Sequence, residues 1–375
     1  MGGLAGELNI ARGSVVAALD PEYLRMVSKV ISDIYGDATS QMIRLVASRL
    51  ARDLDIGDSW ATRKLLELVD LRAQAENVLE QLDSTVAKSV AEVMDTAARK
   101  GAKVAANELA VTGSPLSATS TRAVEALARQ TVDRLTGTHT QILRGTLDVY
   151  RTVVAEVSAP GVVTGTVTRR QAAQRAVDRW ARQGVTGFVD RRGRNWEIES
   201  YAEMTTRTAG GRAMMEGSID QYQAEGRNFV IVSDAPEECE QCRPFEGKGL
   251  SLTGEGVGSK VGGIRIVATM RDATSAGLFH QSCRHRVSPI VPGRTKPMTH
   301  TADPEGDQQR QRQRALERRI RAAKRRAAAT EQLGTPDDIA KAKARVRQTQ
   351  ADMREFIDQT GRKRLTAREQ IGKAR

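Results

Sequence analysis

The chain has 375 residues, a formal net charge of +12, few aromatic residues (3%) and three cysteines, a length that leaves room for two or three domains. It holds no run of 18 or more apolar residues and no basic segment leading into an apolar stretch near its start. That pattern argues against a membrane-spanning segment or a standard secretion signal, and makes reduced thiols in a cytoplasm the expectation. Of the aromatic residues (3 Trp, 5 Tyr, 5 Phe), most lie between Trp180 and Phe279, which predicts that a conventional compact core is confined to that interval, with long helices on both sides.

Residues 1–20 are rich in glycine and alanine without a clear period and read as an arm. From Pro21 to Leu54 two helical stretches are predicted, broken at Gly36-Asp37, where glycine ends one and aspartate caps the next. Asp58 or Ser59 then caps a helix of about fifty residues, roughly 75 Å at 1.5 Å per residue. Its stripe is Leu71, Ala75, Val78, Leu82, Val86, Val90, Val93 and Ala97, stepping by threes and fours. Such a helix needs partners along it, either the following helices at 117–136 and 139–158 or another subunit.

Ala159-Pro160-Gly161 and Gly165 mark a boundary. Thr168 caps an amphipathic helix through Val177 and Trp180 that stops at Gly184. Residues 185–196 alternate around an Asp-Arg-Arg-Gly turn, which predicts a short hairpin. Ser200 starts a helix over 201–224, weakened in its middle by Gly210-Gly211. The clearest strand is 228–233. Residues 245–254 read as a hairpin, Gly262 to Met270 as a further strand, and Val287 to Val291 as one more. After Pro292 two helices follow, one with a seam of Leu316, Ile320, Ala323 and Ala327, the other with Ile339, Ala342, Val346, Met353 and Phe356.

All three cysteines and two of the four histidines fall in two short clusters, Cys239-Glu-Gln-Cys242 and His280-Gln-Ser-Cys283-Arg-His285. A Cys-x2-Cys turn supplies two tetrahedral ligands from one knuckle, and a second knuckle must supply the rest. Cys239, Cys242, His280 and Cys283 make a complete Cys3His set, with His285 as the alternative to His280. Four protein ligands leave no open position for water, so the expected cofactor is a structural zinc that fastens strands too few to bury enough surface alone. In the metal-free reading, Cys239 and Cys242 are free thiols or form a strained local disulfide.

The fold class read from these features is α+β. It comprises a flexible arm (1–20), a long-helix region (21–160), a small β-rich Cys/His module resembling a zinc knuckle (165–300) and a basic helical tail (305–375). That tail carries roughly 20 Lys and Arg against 10 Asp and Glu, most of the excess charge. Arg310, Arg312, Arg314, Arg318, Arg319, Arg321, Lys324, Arg325 and Arg326 are the candidate contacts to DNA phosphates, with sequence-independent, salt-sensitive affinity. Two solvated helices pairing with each other is the alternative, and the scarcity of aromatics there argues against base stacking.

Several stretches occur in a telling order: Gly184-Val-Thr-Gly-Phe188-Val-Asp190, Gly193-Arg-Asn-Trp196, Ser200-Tyr201-Ala-Glu-Met204-Thr-Thr-Arg207-Thr208, Cys239-x2-Cys242, Phe245-Glu-Gly-Lys248, Ser251-Leu-Thr-Gly254, His280-x2-Cys283-Arg-His285 and Gln311-Arg-Gln-Arg314-Ala-Leu-Glu317. The chain resembles the phage minor capsid protein 2 family over about residues 165–330, and its Cys/His part is similar to the Mu F-type head morphogenesis proteins. The resemblance implies a minor, non-enzymatic component of a tailed-phage head. It further implies association with the portal protein and a role in head assembly and genome packaging or delivery.

From this follow expected partners (the portal protein, a major capsid or scaffolding protein, double-stranded genomic DNA), several copies per virion, no membrane in the assembled head, and host cytoplasm as the site of assembly. Portal docking by residues 21–160 extends that reading. Two enzymatic readings compete with it. One is a zinc-dependent nucleic-acid-processing enzyme using His280 and His285 as base and ligand. The other is an ADP-ribosyltransferase-like effector, suggested by Glu197-Ile-Glu199, although acidic residues there also suit a helix start.

Overall fold

The structure is a computed structural model that describes residues 21–52, 59–158, 168–183, 187–190, 193, 195–235, 237, 240–281, 283–296 and 303–371. The arm at 1–20, the Asp58 cap, the boundary at 159–165, the Gly184 stop and Cys239 lie outside the described residues. The architecture is α+β, with long helices, a small sheet, a Cys/His cluster and a helical C-terminus.

Helix α1 runs unbroken from Pro21 to Ala51. The break read at Gly36-Asp37 is absent. A glycine inside a helix costs about 1 kcal/mol. Burial of Ile31, Tyr35, Ala38 and Met42 on one stripe around it offsets that many times over, at about 1.5–3 kcal/mol per large apolar side chain.

The long helix read from Asp58 divides instead into α2 (Trp60–Leu66) and α3 (Leu68–Leu109), with Glu67 serving as C-cap of the first and N-cap of the second. At 42 residues α3 is still about 63 Å long. Its buried stripe is the one the spacing predicts, Leu71 through Ala97, with Val78 half-buried and Leu79 added. Helices α4 (Ala118–Thr136) and α5 (His139–Val157) follow.

Along α3 lie α1, α4 and a helix from further down the chain, α7 (Ile198–Ala224). Leu24, Val27 and Tyr35 of α1, Leu82, Val86 and Val90 of α3, and Ala202, Ala209 and Met214 of α7 form one continuous core. A second core joins the end of α1, Trp60 of α2 and Tyr150 and Val153 of α5 to Ala172, Ala173 and Ala176 of α6 (Arg169–Gln183). Thr168 caps α6 as read, its hydroxyl accepting from Gln171 N at 3.1 Å.

The compact core is therefore not confined to the aromatic-rich interval. Aliphatic side chains build most of it, and small residues let the backbones approach. A Cβ added to Gly101 would lie 1.8 Å from the Met214 carbonyl oxygen, and one on Gly217 would lie 2.0 Å from that of Ala98. The α3–α7 crossing admits only glycine at those two positions. Gly210 and Gly211 are buried inside an unbroken α7.

The short hairpin is present as β1 (Phe188–Val189) and β2 (Asn195–Trp196), with Phe188 opposite Trp196. The remaining strands are β3 (Phe229–Val232), β4 (Gly249–Ser251), β5 (Lys260–Val261), β6 (Ile264–Thr269) and β7 (Val287–Pro289), in spatial order β5-β6-β4-β3-β7. Residues 245–254 do not form the hairpin read from their sequence. A 3-10 turn at Arg243–Phe245 leads into β4 alone, which pairs antiparallel with β3 and parallel with β6. Strand β6 ends in a short helix, α8 (Met270–Ser275).

Strand β3 alternates between two faces. Val230 and Val232 meet Tyr222, Leu250, Leu278, Phe279 and Cys242, while Ile231 meets Ile264, Ile266 and Ile290.

Helices α9 (Pro304–Leu333) and α10 (Pro336–Thr360) pair through Leu316, Ile320, Met353 and Phe356, with Thr335 and Asp338 forming a capping box at the turn. They are not a separate tail. Helix α9 also packs on α1 and α6, and Gln174 Nε2 donates to Thr330 Oγ1 at 2.9 Å.

Candidate functional site

The antiparallel pairing of β3 with β7 sets Val232 opposite Val287. Beyond that pair, Ser233 N donates to Arg286 O at 2.9 Å and Arg286 N to Ser233 Oγ at 3.1 Å. The strand entering the first cysteine cluster thus lies beside the segment leaving the second. That register, which the spacing of cysteines alone does not give, brings together residues some forty positions apart.

Cys242 is fully buried and caps the 3-10 turn. Its Sγ lies 3.6 Å from Cys283 Sγ. A disulfide would require about 2.05 Å. Two thiolates on one tetrahedral zinc, each about 2.3 Å from the ion, would stand about 3.8 Å apart.

His280 completes the group: one potential ligand atom from each of Cys242, His280 and Cys283 lies within 4.8 Å of the others. His280 Nδ1 sits 2.8 Å from Gln281 O, the backbone contact by which metal-bound imidazoles commonly fix their ring. These three residues can hold a metal ion, and their thiolate and imidazole donors suit zinc better than calcium or magnesium. Cys239 is outside the described residues.

His285, read as the alternative ligand, is placed differently. It is buried, with Nδ1 3.3 Å from Cys283 Sγ and Nε2 2.5 Å from Glu246 Oε1. Contact with Cys242, and then with His285, brings the Cys283 thiol down to about 4 against the upward push of burial. Burial pushes His285 downward, yet Cys283 and Glu246 leave it raised overall. Glu246 is buried and also accepts from Ala235 N at 3.2 Å. Sequence reading missed Glu246, since a lone glutamate beside Phe245 carries no spacing signal.

The cluster is tied to the C-terminal helices through Glu237. Its carboxylate lies 2.6 Å from Arg362 Nη1 and 3.5 Å from both Arg284 Nη1 and Arg310 Nε, and its carbonyl accepts from Arg284 Nη2 at 3.0 Å.

The proposed DNA-contact set divides sharply. Arg321 and Arg325 are withdrawn from the surface, which corrects their assignment. Arg325 is 1% exposed, and its guanidinium lies 2.6 Å from Glu197 Oε1 and 3.7 Å from Glu199 Oε1. Arg321 donates to Glu197 Oε2 at 3.1 Å and Ser200 Oγ at 2.8 Å. The basic face of α9 is docked on the acidic start of α7, a preference no local pattern in α9 reveals.

Arg310 pairs with Asp307 and Glu237, Arg314 with Glu317 at 3.1 Å, and Lys324 with Gln370 at 2.7 Å, while Arg326 is half-buried. Arg312, Arg318 and Arg319 are exposed, Arg312 lying over the Phe356 ring. Lys341, Lys343, Arg345 and Arg347 of α10, which the sequence reading did not single out, are exposed as well. Glu197 and Glu199, the pair behind the transferase reading, are the carboxylates that hold these buried arginines.

A long-helix scaffold carries a small sheet and a group of Cys242, His280 and Cys283 that could hold a metal ion. The chain belongs to the phage minor capsid protein 2 family, whose model matches residues 19–358. It is similar to a protein described as "Structural protein" of Lactococcus phage LL-H, 25% identical over 319 residues, which span 80% of this chain and 85% of that protein. No solved structure matches. The chain is accordingly a phage structural protein of the virion. Among the described residues no helix is long and apolar enough to cross a membrane.

Proposed function

We propose that the chain is a non-enzymatic minor head protein associated with the portal, acting in head assembly and in genome packaging or delivery. It would be present in several copies, inside the capsid or at the portal vertex. Family membership over 19–358 is the observation that carries this reading. Docking on the portal, and on a major capsid or scaffolding protein, is assigned to the long helices of residues 21–157, which offer extended rigid faces. Cys239, Cys242, His280 and Cys283 hold a structural zinc that fastens β3 and β7 to the turns around them. The fit rests on the 3.6 Å sulfur separation and on the soft donor set.

Contact with packaged duplex DNA is assigned to Arg312, Arg318 and Arg319, joined by the exposed lysines and arginines of α10. The competing reading, a zinc-dependent enzyme acting on nucleic acid, is separated from this one by a single assay on the full chain with linear plasmid and added zinc or magnesium. Binding without cleavage is expected, with affinity falling steeply as salt rises. Replacing Arg312, Arg318 and Arg319 by glutamine should lower the salt slope by about 0.9 for each phosphate that is no longer neutralised. Cleavage of the plasmid would overturn the non-enzymatic reading, and an unchanged slope would return these arginines to a solvated surface.

A further inference from the structure

The two histidines of the second cluster have different surroundings, and the difference assigns them different work. His280 belongs to the group of atoms close enough to share an ion. Both ring nitrogens of His285 are instead within hydrogen-bonding reach of protein atoms, Nδ1 of Cys283 Sγ at 3.3 Å and Nε2 of Glu246 Oε1 at 2.5 Å. His285 and Glu246 are buried, at 3% and 1% exposure, so water does not compete for the contact between them.

A buried carboxylate at hydrogen-bonding distance from a buried imidazole needs a compensating donor. The ring spans the two groups, with Nε2 turned to that carboxylate and Nδ1 turned to the Cys283 sulfur. Glu246 is itself held, accepting from Ala235 N just past the end of β3. Ala235, His285 and Cys283 are thereby linked across the β3–β7 pair.

We propose that His285 and Glu246 form the outer shell of the metal site: Glu246 orients the imidazole, and the Nδ1 edge of the imidazole rests against the Cys283 sulfur, so that His285 is a positioning residue and not a ligand. This rests on the reading of Cys242, His280 and Cys283 as metal ligands. The arrangement does two things. It holds the Cys283 side chain toward Cys242, and it adds a polar contact to a sulfur that accepts from His285 N at 3.4 Å and packs beside Phe279, Leu278 and Val287. Outer partners of this kind typically contribute 10- to 100-fold to metal affinity while leaving ligand number unchanged.

The test uses the full-length chain and cobalt(II) as the probe, because its visible bands report coordination number and thiolate ligation, with affinity read by competition against a chromophoric chelator. Wild type is expected to take up one equivalent with tetrahedral bands. His285→Ala and Glu246→Gln are expected to keep one equivalent and those bands, with affinity lowered about 10- to 100-fold. His280→Ala is expected to change the bands themselves.

Loss of the tetrahedral bands in His285→Ala, with His280→Ala unaffected, would make His285 the ligand and overturn the assignment. Wild-type affinity in both His285→Ala and Glu246→Gln would equally overturn it. Glu246→Gln keeps the shape of the side chain and decides the matter if His285→Ala does not fold. Failure of the wild type to take up cobalt would overturn the metal reading itself, an outcome distinct from either result on the variants.

Discussion

Replacing Glu197 by alanine is expected to destabilise the protein by about 3 kcal/mol, because it removes the carboxylate shared by two buried guanidiniums. Among the described residues, Arg325 then keeps Glu199, at 3.7 Å, and Arg321 keeps Ser200 and the Arg368 carbonyl. The penalty is the cost of leaving positive charge in a place water does not reach, and it exceeds that of breaking an exposed ion pair, typically under about 1 kcal/mol. Equilibrium urea unfolding of wild type and variant measures it, and a difference under about 0.5 kcal/mol would mean that α9 does not need this contact.

The same carboxylate carries a pH signature. Burial pushes Glu197 up, but Arg325 and Arg321 prevail and hold it below the ordinary glutamate range. A carboxyl ionised at lower pH in the folded than in the unfolded chain contributes stability that is present above about pH 4.5 and lost as pH falls through the folded value. Glu317, which burial raises, titrates in the opposite sense. The Glu197 contribution is therefore read as the difference between wild type and Glu197→Gln, which should shrink below pH 4.5.

The second large effect is expected from Cys242→Ser. A serine hydroxyl is a far poorer zinc ligand than a thiolate, and structural zinc contributes on the order of 10–16 kcal/mol of apparent binding energy in small metal-dependent folds. Cys242 also packs within the core built on Val230, Val232 and Tyr222. Hydrogen exchange in β3, β4 and β7 should speed up strongly in the variant, while the core of Leu24, Tyr35, Val86 and Val90 between α1 and α3, which is built from other residues, stays protected. Because Glu237 joins the first cluster to Arg310 of α9 and to Arg362, exchange in α9 should rise as well. Wild-type exchange across the sheet would show that apolar packing alone holds it.

How legible was this in the sequence? The buried stripe of α3 was readable residue by residue, since Leu71, Ala75, Leu82, Val86, Val90, Val93 and Ala97 repeat at the helical period, and the Thr168 cap was readable from one hydroxyl. The pairing of the two Cys/His turns followed from ligand chemistry, and the structure adds the strand register that makes it possible.

What failed to show was decided by contacts distant in the chain. Gly36 looks like a stop, yet the core around Tyr35 carries α1 through it. Leu250 and Ser251 look like one arm of a hairpin, but β6 and β3 claim both edges of β4. Arg321 and Arg325 look identical in pattern to Arg318 and Arg319, and only the acidic start of α7, over a hundred residues earlier, separates buried from exposed. Gly101 and Gly217 gave no signal because a crossing of two helices is not a local event.

The claim on which the functional reading depends is that this chain is a built-in part of the head at the portal vertex. A localised reconstruction of that vertex in the mature virion, without imposed capsid symmetry, tests it most directly. The expected result is density for the α1–α3–α7 bundle against the portal, with the exposed basic residues of α9 and α10 turned toward packaged DNA. Particles in which the portal surroundings hold no such density, or from which the chain is missing, would contradict it.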